Sequence, residues 1–450
     1  MPGCRTGGLG ADPLGEWELG GGGGTIEDAI DGPISDVFRR AYIQRRLLST
    51  GQFDGVWREI TTYVKRWGTF ESSLDDVRLN TFRNSGANLT VTNDTGAFNR
   101  ENNFNSLWSG YLGRYRTLLR INAGYLCGTS ELPATSTVGI FVLDDEISIR
   151  TDSNDVSLRA ASLKSIFDEV NARYIAGLSG PQTAEGLIVR IRDHTDGAGG
   201  FVFRSFITST AWTIQSTSNN YFLNTDTTLS GKNTWELMQQ LAEAEGFVVL
   251  INRSGGLEFR NRTARTTTSQ FSFFGQGFGR QHIIAITDYK EAINKYFNFF
   301  RLKYLEADTA TSFVSAGTST AINSSNPSWL FGHRQYDFEN LFVSGTTTAQ
   351  NIVNSLFTTF GTMTTEVEAK TVFVPQIELL DRIDFSYRSY DLAASTIWDT
   401  FDWGPATGAT GATWSVEGEN FDWLNRANVV LSRSLNLDNF TMTYKTRELV

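Results

Sequence analysis

His194, His282 and His333 are the residues of this chain best suited to proton transfer near neutral pH or to metal ligation, but they stand apart in sequence. No His-Glu-x-x-His arrangement puts two of them on one helix face. Structural imidazoles with satisfied partners are the plainer reading. Paired acids occur at Asp75-Asp76, Asp144-Asp145 and Glu366/Glu368, and a glycosidase needs only two carboxylates about 5–10 Å apart. Each pair falls in a turn or on alternate positions of one wet strand face, where solvated charge is the ordinary state. A Gly-x-Ser-x-Gly elbow is missing, as is Gly-x-x-x-x-Gly-Lys-Ser/Thr. Gly275-Gln276-Gly277-Phe278-Gly279 lacks the strand-to-helix setting in which backbone N–H groups cradle phosphate. Cys4 and Cys127 are read as free thiols, with no disulfide framework and no structural zinc. The expectation is a non-enzyme without catalytic, metal or cofactor residues. A hydrolase gathered from distant loops remains an alternative, because function resides in a site rather than in a fold.

Two further groups are candidates for binding. Arg39, Arg40, Arg45 and Arg46 lie within eight residues and could meet phosphate, a solvated face or an acidic partner. Phe401-Asp402-Trp403 and Phe421-Asp422-Trp423 flank the low-charge stretch from Gly404 to Gly418. Aromatic faces beside carboxylates suit a sugar, whereas plain packing or a subunit contact explains the same residues in a chain with 11 tryptophans. The net charge of −10 argues against a surface that wraps nucleic acid, which needs Lys and Arg concentrated on one face. An acidic wall instead lets a polyanion slide past.

The elements that would position these residues are mostly strands. At 450 residues the chain is too long for one ordinary core and suggests two to four domains. Residues 1–25 carry the run Gly20 to Gly24 and read as a flexible Gly-rich arm, either inert or ordered against a neighbouring subunit. Within residues 26–50, Ser35 is placed to cap a helix reaching about Leu48, with Val37, Phe38, Ala41 and Tyr42 on one face. From 51 to 150, Ile60 to Trp67, Val77 to Phe82, Leu89 to Val91, Leu119 to Ala123, Val138 to Val142 and Ile147 to Arg150 read as short strands of a barrel, because closure removes exposed edges.

Residues 151–285 read as α+β. An amphipathic helix is expected between Ser157 and Ile175, with strands at Leu187 to Arg192 and Phe201 to Thr208. Asn233-Thr234-Trp235-Glu236 is a capping box opening a helix that Gly246 stops. Phe247 to Asn252 and Leu257 to Arg260 form a hairpin around Arg253-Ser254-Gly255-Gly256. From 286 to 450 a second strand-rich unit is expected, built on Asn294 to Leu305, Glu366 to Val374, Ile383 to Tyr387, Asn428 to Ser432 and Phe440 to Tyr444. It carries an inserted helix through Ala349, Ile352, Val353, Leu356, Phe357 and Phe360. No run of about 18 apolar residues is present to span a bilayer. The N-terminus lacks a secretory pattern, so assembly in the host cytoplasm is the expectation.

Three segments carry a resemblance. The stretch from Gly86 to Tyr125 holds "N-D-x-G-x-F", "N-x-x-S-L-W-x-G-Y" and "R-x-L-L-R-I-x-A-G". The second is "W-x-L-x-x-x-L-A-x-A-x-G" followed by a two-stranded ribbon. The third joins "P-Q-I-E-L-L-D-R-I-D-F" to the closing "V-V-L-S-R-S-L-N-L-D-N-F-T-M-T-Y". In this order they resemble the tail hub proteins of long-tailed phages, the baseplate or tail-tip hubs, where a Gly-Asp often fills the place of Leu380-Asp381. The resemblance implies a mainly β fold with two tube-type β-barrel domains separated by an α+β domain. It implies a homotrimer whose pseudo-sixfold ring, in the virion tail tip, joins tail tube to tip and passes DNA through its lumen without sequence-specific binding. Expected partners are further copies of the chain, a distal tail or tail tube protein, the tape-measure protein and a spike or fibre; no cofactor is implied. A distal tail protein, usually sixfold, is the alternative within the tail. A carbohydrate-binding adhesin or hydrolase is the alternative outside it.

Overall fold

The computed structural model describes residue 30 and residues 36–47, 49–74, 82–84, 86–99, 107–127, 130–132, 136–144, 148–149, 154–197, 199–223, 229–275, 281–291, 297–305, 311–317, 334–360, 365–388 and 422–449. The arm over residues 1–25 and the loop from Gly404 to Gly418 lie outside the described residues.

A nine-stranded antiparallel sheet forms the first unit. Its path runs Arg58–Glu59, Asp36–Arg45, Thr117–Cys127, Thr137–Leu143, Asp155–Ser162, Ala87–Thr92 and Val64–Arg66, with Ser130–Leu132 and Ser148–Ile149 attached at its sides. The helix expected over 26–50 is corrected here. Asp36–Arg45 is a strand, in register with Thr117–Cys127 from Asp36↔Leu126 to Arg45↔Thr117. Val37, Phe38, Tyr42 and Ile43 are β-branched or aromatic, and a long partner strand decides the issue that local spacing left balanced. The helix expected from Ser157 is also displaced. Val156, Leu158 and Ala160 alternate into the core, so Asp155–Ser162 completes this sheet, and only Lys164–Asp168 coils afterwards.

The second large sheet has eight strands. It runs Ser272–Phe274, Arg382–Arg388, Asp422–Asn436, Thr441–Glu448, Thr365–Val372 and Ile283–Glu291. Asp422–Asn436 is long enough to pair with Arg382–Arg388 along its first half and with Thr69–Leu74 along its second, and Phe82–Asn84 joins Thr69–Leu74. The stretch from 51 to 150 thus supplies strands to both large sheets. Thr69–Leu74 and Phe82–Asn84 are strands of the second sheet, and Phe70 and Leu74 are buried on it. Among the described residues neither large sheet closes on itself by a pairing between its end strands.

Between the sheets sits a mixed unit. Ala184–Arg192 is a helix, where the sequence reading placed a strand. The Thr183 hydroxyl accepts from the Gly186 N–H at 3.1 Å, Glu185 lies in the first turn, and Arg190 and Arg192 lie in the last, all of which favour a helix electrostatically. The strand expected over Phe201 to Thr208 is a run of turns leading to a 3-10 turn at Ser209–Ala211. The capped helix is present as Thr234–Glu245. The Asn233 side chain accepts from the Glu236 N–H at 2.8 Å, and Glu236 accepts from the Asn233 N–H at 3.2 Å. Gly246 ends it at φ +71°, a conformation costly for other residues. Replacing Asn233 with Ala is expected to destabilise the chain by about 1 kcal/mol, read as a lower urea midpoint at unchanged slope.

The hairpin Phe247–Ile251 and Leu257–Asn261 follows, with Gly255 at φ +75° in its turn and Trp212–Ile214 added in parallel. A further correction concerns Phe299–Leu305. It does not belong to the second large sheet but to a three-stranded one with Thr311–Gly317 and Gln335–Ser344, covered by the helix Thr346–Phe360, whose Ala349, Ile352, Val353 and Leu356 are buried. This sheet sits beside the capped helix: Asn340 Nδ2 donates to the Gln240 carbonyl at 3.1 Å, and Lys232 Nζ lies 4.4 Å from the Phe342 ring centre. The α+β unit is thus assembled from two stretches of chain. Buried side chains of all units form one contiguous apolar core.

Candidate functional site

The densest arrangement of buried charge lies where the hairpin, the second sheet and the first sheet meet. The hairpin turn brings Arg253, its return strand brings Glu258, and the segment beyond brings Arg265. The turn before Arg382–Arg388 supplies Glu378 and Asp381, and the long strand supplies Arg433. Glu378 takes Arg253 Nε at 3.0 Å on one oxygen and Arg265 Nη2 at 3.0 Å on the other. It also accepts the Arg253 N–H at 3.1 Å. Arg265 reaches Glu258 at 2.9 Å and Asp381 at 3.6 Å, and Asp381 Oδ2 accepts the Glu378 N–H at 2.8 Å. Arg433 is 7% exposed; its Nε donates to Ser72 at 3.0 Å and its Nη1 to the Ile377 carbonyl at 2.8 Å.

Burial dominates the electrostatics. It pushes the Asp381 carboxyl up to about 6, against the N–H of Glu378 and the charge of Arg265, which pull it down. Burial also lowers Arg433. For Arg265 the same penalty is more than offset by Glu378, Glu258 and Asp381, so it titrates above its ordinary range. The backbone is held as tightly. Leu380 is fully buried at φ +66°, the left-handed region that favours glycine, with its N–H on the Val430 carbonyl and its own carbonyl accepting from Arg265 N–H, both at 2.8 Å. That is the place where tail hubs often carry glycine.

Beside Arg253 and Arg433 lies a cavity of about 20 Å³, room for one water, lined from all three units by Ser72, Gly139, Phe141, Arg253 and Arg433 among others. These acids are spent on guanidinium groups. The arrangement can orient one unit against another.

The residues singled out from sequence are dispersed. His282 is buried with its ring 5.4 Å from Phe271 and its Nδ1 accepting the Phe274 N–H at 3.4 Å. The His194 ring lies tilted, 6.1 Å from that of Phe203, and burial lowers its pKa. His333, Asp75, Asp76, Asp145 and Gln276 to Gly279 lie outside the described residues, as do Cys4, Phe401 to Trp403 and Phe421. Asp144 lies 3.6 Å from Arg114. Glu366 corrects the expectation of a wet face: it is 2% exposed, in register with Lys290 on one neighbouring strand and Arg447 on the other. Glu368 takes the Thr287 hydroxyl at 3.1 Å.

The four arginines of the first strand are engaged within the chain. Arg39 donates to the Leu437 carbonyl, Arg40 meets Glu131 at 3.0 Å, Arg45 meets Asp54 at 3.4 Å, and Arg46 donates to the Gly51 carbonyl and to Ser205. Among the described residues no three His, Cys, Asp or Glu side chains are grouped for a metal ion, and no helix is long and apolar enough to cross a membrane.

Sequence reading missed the charged joint because its members come from distant segments. One signal was available. Leu431, Arg433 and Leu435 share a strand face that is otherwise apolar, which marks Arg433 as a cation needing buried partners.

No family model matches the chain, and no curated protein matches it in sequence. Solved structures do. The tail protein from Neisseria meningitidis MC58 superposes with a TM-score of 0.51 at 9% identity, over 91% of this chain and 96% of that one. The 43 kDa tail protein of prophage MuSo2 from Shewanella oneidensis gives 0.46 at 10% identity over 91% and 98%. Prophage tail protein gp18 from Listeria monocytogenes EGD-e gives 0.47 at 11% over 91% and 94%. At such identities the likeness is one of fold, and for the first of these it extends over nearly the whole chain.

Proposed function

We propose that this chain is the structural hub of a bacteriophage tail tip. Three copies form a ring in which the two large sheets of each copy supply alternate segments, making a pseudo-sixfold collar between tail tube and tip. The observation that carries this reading is that one polypeptide holds two large β-sheets within one contiguous core, the second tied to the hairpin by a buried charged joint, in a fold similar to that of a tail protein over 91% of this chain. The role is structural, not enzymatic. Closing such a ring requires heterologous contacts between copies, and the net charge of −10 suits a bore through which DNA slides without sticking. Neighbours in the particle would be the distal tail or tube protein, the tape-measure protein and a spike or fibre.

A symmetry-resolved reconstruction of the assembled particle tests the reading. Three copies per ring, with both sheets facing one axis, is the expected result. Six copies would reassign the chain as a distal tail protein, and sheets pointing away from any common axis would remove the collar.

A further inference from the structure

In the strands Arg58–Glu59, Asp36–Arg45 and Thr117–Cys127, Arg120 is the one arginine with no hydrogen-bond acceptor among the described residues. Alternation turns Leu119 and Ile121 into the core and Arg120 to the opposite face, in register with Tyr42. There its guanidinium carbon lies 4.6 Å from the Tyr42 ring centre and 4.6 Å from that of Trp57. Such contacts hold the group in place without using its N–H donors. The Nε is buried and makes no hydrogen bond, while the residue as a whole is part-exposed. Its neighbours are engaged: Arg39 donates to the Leu437 carbonyl, Arg40 meets Glu131, and Arg45 and Arg58 share Asp54. Glu59, in register with Tyr42, is exposed and forms no ion pair with Arg120 among the described residues. Burial lowers the Arg120 pKa, opposed only by Tyr42. A planar cation held against two rings, with donors to spare, is built to receive a carboxylate. Val56, beside Trp57 in the chain, is 50% exposed and adds an apolar shoulder.

We propose that this surface docks the chain's own Glu16-Trp17-Glu18-Leu19, with a glutamate carboxylate on the Arg120 guanidinium and Trp17 beside Val56 and Trp57. The segment lies outside the described residues, and its chemistry is read from the sequence. Residues 1–35 carry six acids and one arginine, and here two of the acids bracket a tryptophan. Reach favours a contact within one copy. Seventeen positions separate Leu19 from Asp36, enough to span up to about 55 Å. Asp36 opens the strand that carries Tyr42, about 20 Å further along it. A tether of this length gives the segment an effective concentration on the order of millimolar. One charge-assisted pair and one aromatic contact then suffice to populate the docked state. The docking goes beyond the tail-hub reading and does not depend on it.

Photo-crosslinking on the full chain tests it, with the photoreactive amino acid p-benzoylphenylalanine in place of Leu19 and equal amounts of heavy-isotope-labelled and unlabelled protein. Crosslinks are expected at Tyr42, Val56, Trp57 and their sequence neighbours, within chains of one label. Glu16→Gln combined with Glu18→Gln alters no residue of the described fold and is expected to cut their yield about tenfold, as is Arg120→Gln. The docking is overturned if the crosslinks fall elsewhere or if either variant keeps its yield. It is also overturned if labelled and unlabelled chains are joined to each other as often as to themselves, which places the contact between copies. Should Arg120→Gln fail to fold, the glutamate pair decides by itself.

Discussion

Replacing Trp235 with Ala is expected to destabilise the chain by about 3–5 kcal/mol, among the largest effects of any single side chain. Trp235 is 1% exposed, on the first turn of the capped helix. Its ring centre lies 6.0 Å from that of Phe82, which belongs to the second sheet, and 5.8 Å from that of Phe167, in the short helix following the first sheet. Lys164 Nζ sits 5.6 Å over the same ring. One indole thus packs its own helix against both the second sheet and the short helix, so its removal leaves a cavity that no single element can relax to fill. A urea melt reads the loss directly. A midpoint equal to wild type would mean that Trp235 is not a packing centre and that the units cohere by other contacts.

Glu378→Ala is expected to cost a similar amount, about 3–5 kcal/mol, for a different reason. The carboxylate balances Arg253 and Arg265 at 3.0 Å each, and deleting it leaves two buried cations short of charge and hydrogen-bond acceptors. The double variant with Arg265→Ala separates the pair from its surroundings. If the joint works as described, the second substitution costs clearly less in the Glu378→Ala background than alone, by about 1 kcal/mol or more. Simple additivity would reduce the joint to independent surface-like contacts.

The two experiments probe one architectural fact from its apolar and polar sides. Apolar packing at Trp235 brings the units together without fixing their angle, since burial is non-directional. The guanidinium–carboxylate pairs around Glu378 are directional and admit few orientations.

How much of this was legible in the sequence depends on how local each signal is. The capping box at Asn233 and Glu236, the stop at Gly246, the hairpin turn at Gly255 and the helix through Ala349 to Leu356 depend on residues within one or two turns of each other, and the structure has all four. Strands at Leu89 to Val91 and Leu119 to Ala123 declared themselves by alternation, and Val138 to Val142 by a continuous apolar run. At Asp36–Arg45 and Ala184–Arg192 the periodicity suited helix and strand alike. A long partner strand settled the first and a Thr183 cap with complementary end charges settled the second.

The amino-acid sequence by itself determined that the chain is strand-rich, that Asn233 caps a helix which Gly246 stops, and that its three histidines stand far apart along the chain. Only the tertiary structure decided which sheet Thr69–Leu74 joins, that Phe299–Leu305 serves the mixed unit, that Glu366 is buried, and that Arg253, Arg265, Glu378, Asp381 and Arg433 meet. The reason is physical. Capping, turns and periodicity are settled by neighbours a few bonds away, whereas strand pairing and the burial of charge depend on partners that only the folded chain brings within reach.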